Sequence, residues 1–158
     1  MVFVMLDLLK GFLTAPEDRR MTDLNPDLSV AVCALLLEAS EVDQQAPPEE
    51  QALVRDLLKR RFGLDEASLD QLIAETRRQR THTGDLWPFT HYLRRTYQPE
   101  QKLELLTMVW QVILADSRLD PYEEQWVRRL PEMLAVNGSV LIEAKRRARE
   151  LHSNGHPA

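Results

Sequence analysis

The stretch LADSRLDPYEE, residues 114–124, decides how the rest of the chain is read. An apolar run ends at Leu114, an acidic turn holding Asp116 and Asp120 follows, and Pro121 restarts the pattern with Glu123 and Glu124. Aspartate at the cap, proline at the first helical position and glutamate at the third make a helix start. The cap carboxylate accepts from free backbone N–H groups, and the glutamate reaches back to the cap's own N–H. The stretch is therefore a corner between two helices. A second corner of this kind stands in LEASEVDQQAPPEE, residues 37–50. Placing Asp43 on Asp120, an offset of 77, matches Leu35, Leu36 and Leu37 to Val112, Ile113 and Leu114. Beyond a three-residue insertion the offset becomes 74 and sets Pro47, Glu49, Glu50 and Gln51 on Pro121, Glu123, Glu124 and Gln125. Two copies of helix, acidic turn, helix predict a bundle with an internal repeat, and two copies with unlike flanks are too few for a solenoid.

On both sides of these corners the pattern stays helical. Leu28 to Ala39 is almost wholly apolar, as a central buried helix requires. After Pro47 and Pro48, a stripe of Leu53, Val54, Leu57, Leu58 and Phe62 runs to a stop at Gly63. Asp65 caps a helix to about Arg80, with Leu69, Leu72, Ile73 and Thr76 inward, and THTGD (81–85) breaks it. A shorter helix in LWPFTHYLRR buries Phe89, Tyr92 and Leu93, and a long one opens at Pro99. From Pro121 one helix is expected to bury Trp126, Val127, Leu130, Met133 and Leu134, and a basic helix over about 139–151 closes the bundle. No alternating run of strand length occurs, so the expected fold is all-α, with about seven to eight helices in a compact bundle. The expected organisation is an amphipathic helix and polar linker over 1–27, a helical domain over 28–152 and a frayed tail over 153–158.

Composition fits this. The chain has 158 residues, 44% apolar and 28% charged, enough for one domain with a real core. With a net charge of −5, nothing global attracts nucleic acid or anionic lipid, and nucleic acid is not expected as a partner. The arginine clusters RRQR (77–80) and KRRAR (145–149) sit beside glutamates at helical spacing, which points to solvated faces. Cys33, the single cysteine, allows no intramolecular disulfide, in keeping with a reducing cytoplasm. Lying in SVAVCALLLEA without a polar activator nearby, it is read as a buried thiol and not a nucleophile. The leading segment MVFVMLDLLKGFL (1–13) is too short to span a bilayer and lacks the basic leader of a secretory signal. Val2, Leu6, Leu9 and Leu13 form one helical stripe, suited to docking on the domain, on a partner or on a membrane surface.

The apolar helix ending in Ala115-Asp116-Ser117 and continuing Leu119-Asp120, with Glu123 and the earlier Val42-Asp43 corner, resembles the tellurite-resistance TerB family. A similar segment forms the N-terminal region of DjlA-type membrane-anchored co-chaperones. The resemblance covers roughly Leu28 to Val136, including LWPFTHYLRRTYQPEQKLELLTMVW. It implies a bundle of about seven helices in bacterial cytoplasmic stress-response systems, and a divalent cation, calcium or magnesium, at the acidic corners. The residues matching that motif are Asp116, Asp120 and Glu123 in the second corner, and Asp43 with Glu49 in the first. Ser117 stands where the family carries glycine, and Ala39 where the first corner would carry its first aspartate.

Two interpretations of the corners remain open. Capping alone contributes about 1 kcal/mol and accounts for Asp120 and Glu123. Asp116 falls at a helix C-terminus, where the dipole disfavours a negative charge, so capping does not account for it. The spacing is not that of an EF-hand: counted from Asp116, position 3 is Arg118, position 6 is Pro121 and position 12 is Val127. His82, His91, His152 and His156 contain no pair at metal-ligand spacing, and no Gly-rich phosphate loop or nucleophile motif is present. The His-Pro-Asp tripeptide of a J-domain is also missing from these residues. The expected function is that of a non-enzymatic, cytoplasmic module that binds a protein partner or a second copy of itself. The alternative is a metal-independent adaptor docked to a partner or membrane through residues 1–13. Trp87, Trp110 and Trp126 are expected as core or interface anchors.

Overall fold

In the computed structural model, residues 26–42, 47–115 and 120–155 are described. The leading segment, Asp43, Asp116 and the last three residues lie outside them. Eight helical segments follow one another: α1 (Pro26–Glu41), α2 (Pro48–Phe62), α3 (Glu66–Thr83), α4 (Trp87–Thr96), α5 (Pro99–Ile113), α6 (Pro121–Val127), α7 (Leu130–Met133) and α8 (Gly138–Gly155). Among the described residues there is no strand.

The core is organised by α1. From Leu28 to Ser40 every side chain except Glu38 is buried, because a helix apolar all round can be satisfied only by neighbours on all sides. Four helices supply them: α2, α3, α4 and α5 each pack against α1. Each offers one stripe: Val54, Leu57, Leu58 and Phe62 from α2, Leu69 and Leu72 from α3, Phe89 and Leu93 from α4, and Leu105, Leu106, Val109, Val112 and Ile113 from α5. The amphipathic α8 covers the other side of α5 with Ala144 and Ala148, small residues that bring the two backbones close. Where hydroxyls enter this core they find local acceptors: Ser40 donates to the Leu37 carbonyl at 2.8 Å and Thr76 to that of Leu72 at 2.7 Å.

The helix ends follow the sequence chemistry. Asp65 caps α3 by accepting from the Ser68 N–H at 2.7 Å, and Asp120 caps α6 by accepting from the Tyr122 N–H at 2.7 Å. At the end of α2, Gly63 adopts the left-handed conformation (φ 62°), and the Leu64 N–H donates to the Lys59 carbonyl at 3.0 Å. The same stop recurs after α7, where the Val136 N–H donates to the Pro131 carbonyl at 2.8 Å, but there Ala135 holds the positive φ (58°).

Two expectations are corrected. The helix opening at Pro121 ends at Val127, and α7 is separate. Pro131 lacks an N–H, and its ring would strike the carbonyl four residues back, at Val127. The last helix runs through Gly155, past the expected limit near 151. Of the three tryptophans, expected as core or interface anchors, Trp110 is buried, Trp126 half-buried and Trp87 61% exposed.

The two arginine clusters lie on solvated faces among glutamates. Arg77 meets Glu41 at 2.8 Å and Arg80 pairs with Glu38, joining the C-terminal ends of α1 and α3. Arg146 bridges Glu143 at 2.7 Å and Glu150 at 2.5 Å along α8. The Arg146 pairings hold the Glu143 carboxyl down at about 2, with Arg147 adding to the effect.

Candidate functional site

The acidic corners come first, since they carry the family motif. Of the five residues in that motif, Glu49, Asp120 and Glu123 are described, and Asp43 and Asp116 lie outside. Asp120 is half-buried and engaged with the Tyr122 N–H. Glu49 is exposed. Glu123 is buried at 1% exposure in the first turn of α6, and so is Glu50, at 0%, in the first turn of α2. A carboxylate withdrawn from water needs compensation, and neither Glu50 nor Glu123 lacks an interacting group. The N-terminal turn itself favours them, because the helix dipole and the free N–H groups of the first turn stabilise negative charge.

These burials change the local register. Counted from their caps, Pro47 and Asp120, both helices have proline at the first position and a buried glutamate at the third, an offset of 73. Matching the identical letters of Pro-x-Glu-Glu-Gln put Glu49 on Glu123, but the cap sets which way a first-turn side chain points. Glu50 and Glu123 thus share the third position of their helices.

As a calcium centre the described donors fall short. Calcium takes 6–8 oxygens, and among the described residues no three of His, Cys, Asp and Glu form a group that could hold a metal. A cation here would need Asp43 or Asp116 in addition.

The thiol of Cys33 offers no alternative centre. Burial pushes it up to about 12, against partial relief from its hydrogen bond with Thr76, so it is a neutral thiol at neutral pH.

One surface was not legible as a site in the sequence. On α4, Phe89, Thr90 and Leu93 face inward, and Trp87 projects outward, stacked on His91 with centroids 4.6 Å apart and planes 14° from parallel. Helical spacing explains the pair, since residues four apart lie one above the other. A groove runs along each side of this stack. One, of about 370 Å³, lies towards α7 and is lined by Arg94, Arg129, Glu132 and Met133. The other, of about 480 Å³, is lined by Pro88, Tyr92, Arg95 and Thr96.

A bundle of short helices around one buried helix, with carboxylates seated at helix starts, is a class of all-α module and defines no reaction by itself. The family is given by comparison: the family model for tellurite resistance protein TerB matches residues 29–146, and the chain belongs to that family. No curated protein and no solved structure matches the chain. Among the described residues no helix is long and apolar enough to cross a membrane.

Proposed function

We propose that this chain is a non-catalytic, cytoplasmic TerB-type module that acts in a stress response by binding another protein. The observation that carries this is the family match over residues 29–146, which takes in the buried helix α1 and every helix packed on it. The test is genetic. Deleting the gene in its host should increase sensitivity to tellurite, and the intact chain should restore tolerance. Equal growth of deleted and intact strains on tellurite overturns the stress-response assignment.

Divalent-cation binding at the corners is the second part of this proposal, favoured by the buried Glu123 beside the Asp120 cap. Binding to the folded state alone raises stability by mass action. The protein should therefore melt higher in millimolar calcium or magnesium, and Asp116→Asn should remove that gain. A melting temperature that ignores both metals leaves the corners as capped turns and the module as a metal-independent adaptor.

A further inference from the structure

Most basic side chains of the described residues reach a carboxylate, and those beside Trp87 do not. Among the described residues, Arg55, Lys59, Arg60 and Arg61 on α2 all reach a carboxylate. So do Arg77, Arg78 and Arg80 on α3, Arg128 after α6, and Arg146 and Arg147 on α8. Arg94, Arg95, Lys102, Arg129, Lys145 and Arg149 form no such pair; Lys145 sits over the Trp110 ring, and Arg94, Arg95 and Arg129 line the two grooves beside Trp87. Lys102, in the first turns of α5, is 7% exposed. Burial lowers the affinity of its amine for a proton, and the charge of Arg94 lowers it further. In a chain of net charge −5, three arginines that form no ion pair thus line the grooves beside a tryptophan that the core does not use.

We propose that the outer face of α4, with Trp87 and His91 as its ridge and Arg94, Arg95 and Arg129 along its grooves, is the docking surface for an acidic peptide segment of a partner protein. The segment lays carboxylates on the arginines and an apolar side chain against Trp87. This rests on the reading of the chain as an interaction module and names its surface and the chemistry of its partner.

Each feature has its own role. Tryptophan and arginine dominate the energetics of protein interfaces, because a large rigid ring gives up much apolar surface and a guanidinium forms bidentate bonds with carboxylates. The stack on His91 fixes the Trp87 ring before a partner arrives, which lowers the ordering cost of binding. From Trp87 to Arg95 the helix rises about 12 Å, the reach of roughly four extended residues. That length suits a short linear segment. Glu132 lines the same groove as Arg94 and Arg129 and opposes a continuous phosphate backbone, whereas a peptide can place its carboxylates away from it. A carboxylate on Arg94 also relieves the repulsion at Lys102.

The test is selection from a displayed library of random peptides on the full chain, followed by fluorescence anisotropy with the selected peptides. Selected sequences should combine Asp or Glu with an apolar residue, and their binding should weaken as salt rises. Trp87→Ala and the pair Arg95→Gln/Arg129→Gln should each weaken binding by about tenfold or more. Because all three side chains are exposed, the variants should keep the wild-type melting curve, so that lost binding cannot be lost folding. Failure to enrich any peptide, enrichment of sequences without acidic residues, or undiminished binding to the variants overturns the proposal. So does tighter binding of single-stranded oligothymidylate than of the selected peptides, which would assign the face to nucleic acid. A strain without a tellurite phenotype whose protein still selects acidic peptides would separate the two claims, removing the stress role and leaving the surface.

Discussion

Helices α1 and α4 touch each other and are made on opposite terms. In α1 the residues from Leu28 to Leu37 are all buried, and each has a neighbour to pack against. In α4 only Phe89, Thr90 and Leu93 are fully buried, while Trp87, Arg94 and Arg95 stand in solvent. Packing accounts for α1 from Leu28 to Leu37, and its Glu38 and Glu41 are taken up by Arg77 and Arg80. Packing accounts for only half of α4. A large aromatic ring and unbalanced cations that the fold does not use are where an interaction module would carry its specificity.

The largest expected effect breaks the α1 side of this contrast. Leu35 is fully buried in the central helix, and Leu35→Ala removes transfer energy and leaves a cavity, a loss of about 2–5 kcal/mol measured by urea unfolding. Next comes the burial of Cys33 on the same helix. Its folded-state value of about 12 lies above the ordinary thiol value of 9.0, so the folded chain holds that proton where the unfolded chain releases it. The contribution is complete below pH 9 and is lost as pH rises towards 12, at about 1.4 kcal/mol per pH unit. Wild-type stability should therefore fall more steeply than that of Cys33→Ala across this alkaline range, by the slope of denaturant midpoints against pH.

Smaller effects sharpen the picture at the helix ends. Asp120→Ala removes the cap of α6 and should cost about 1 kcal/mol, and Asp120→Asn should be close to neutral, by chemical denaturation. Two of the left-handed stops, at Gly63 and Ala135, make a matched pair. Gly63→Ala should cost about 1 kcal/mol and Ala135→Gly should gain up to about 1 kcal/mol, since an L-side chain is strained at positive φ. Thermal melts of the two variants should move in opposite directions.

Much of the fold was legible because its signals are local. The apolar stretch Leu28–Ala39, the stripe ending at Phe62, the Asp65 and Asp120 caps and the Gly63 stop each combine a periodicity with a chemical start or end. The corners resembled the TerB family, and the comparison bears that out. Misreadings occurred where local chemistry competed with a broader pattern. The apolar spacing from Trp126 to Leu134 runs straight through Pro131, whose missing N–H outweighed it. At the first corner the letters of the motif pointed to Glu49, and they did not show that Glu50 is the glutamate the first turn buries. The α4 face was hidden for a different reason. The inward Phe89 and Leu93 were legible in LWPFTHYLRR, but whether Trp87 serves the core or an interface is decided only by tertiary packing. That Arg129 lies across a groove from Arg94 depends on α7 reaching α4, a contact between segments far apart in the chain.

The division of labour between α1 and α4 can be measured side by side, in one thermal unfolding experiment on Leu35→Ala and on the triple variant Trp87→Ala/Arg95→Gln/Arg129→Gln. For a chain of this size, 1 kcal/mol corresponds to about 2–4 °C in melting temperature. Leu35→Ala should melt roughly 5–20 °C below wild type, and the triple variant within about 2 °C of it, as exposed substitutions do. A triple variant that falls as far as Leu35→Ala would make the outer face of α4 part of the structural core and contradict its assignment as the surface free for a partner.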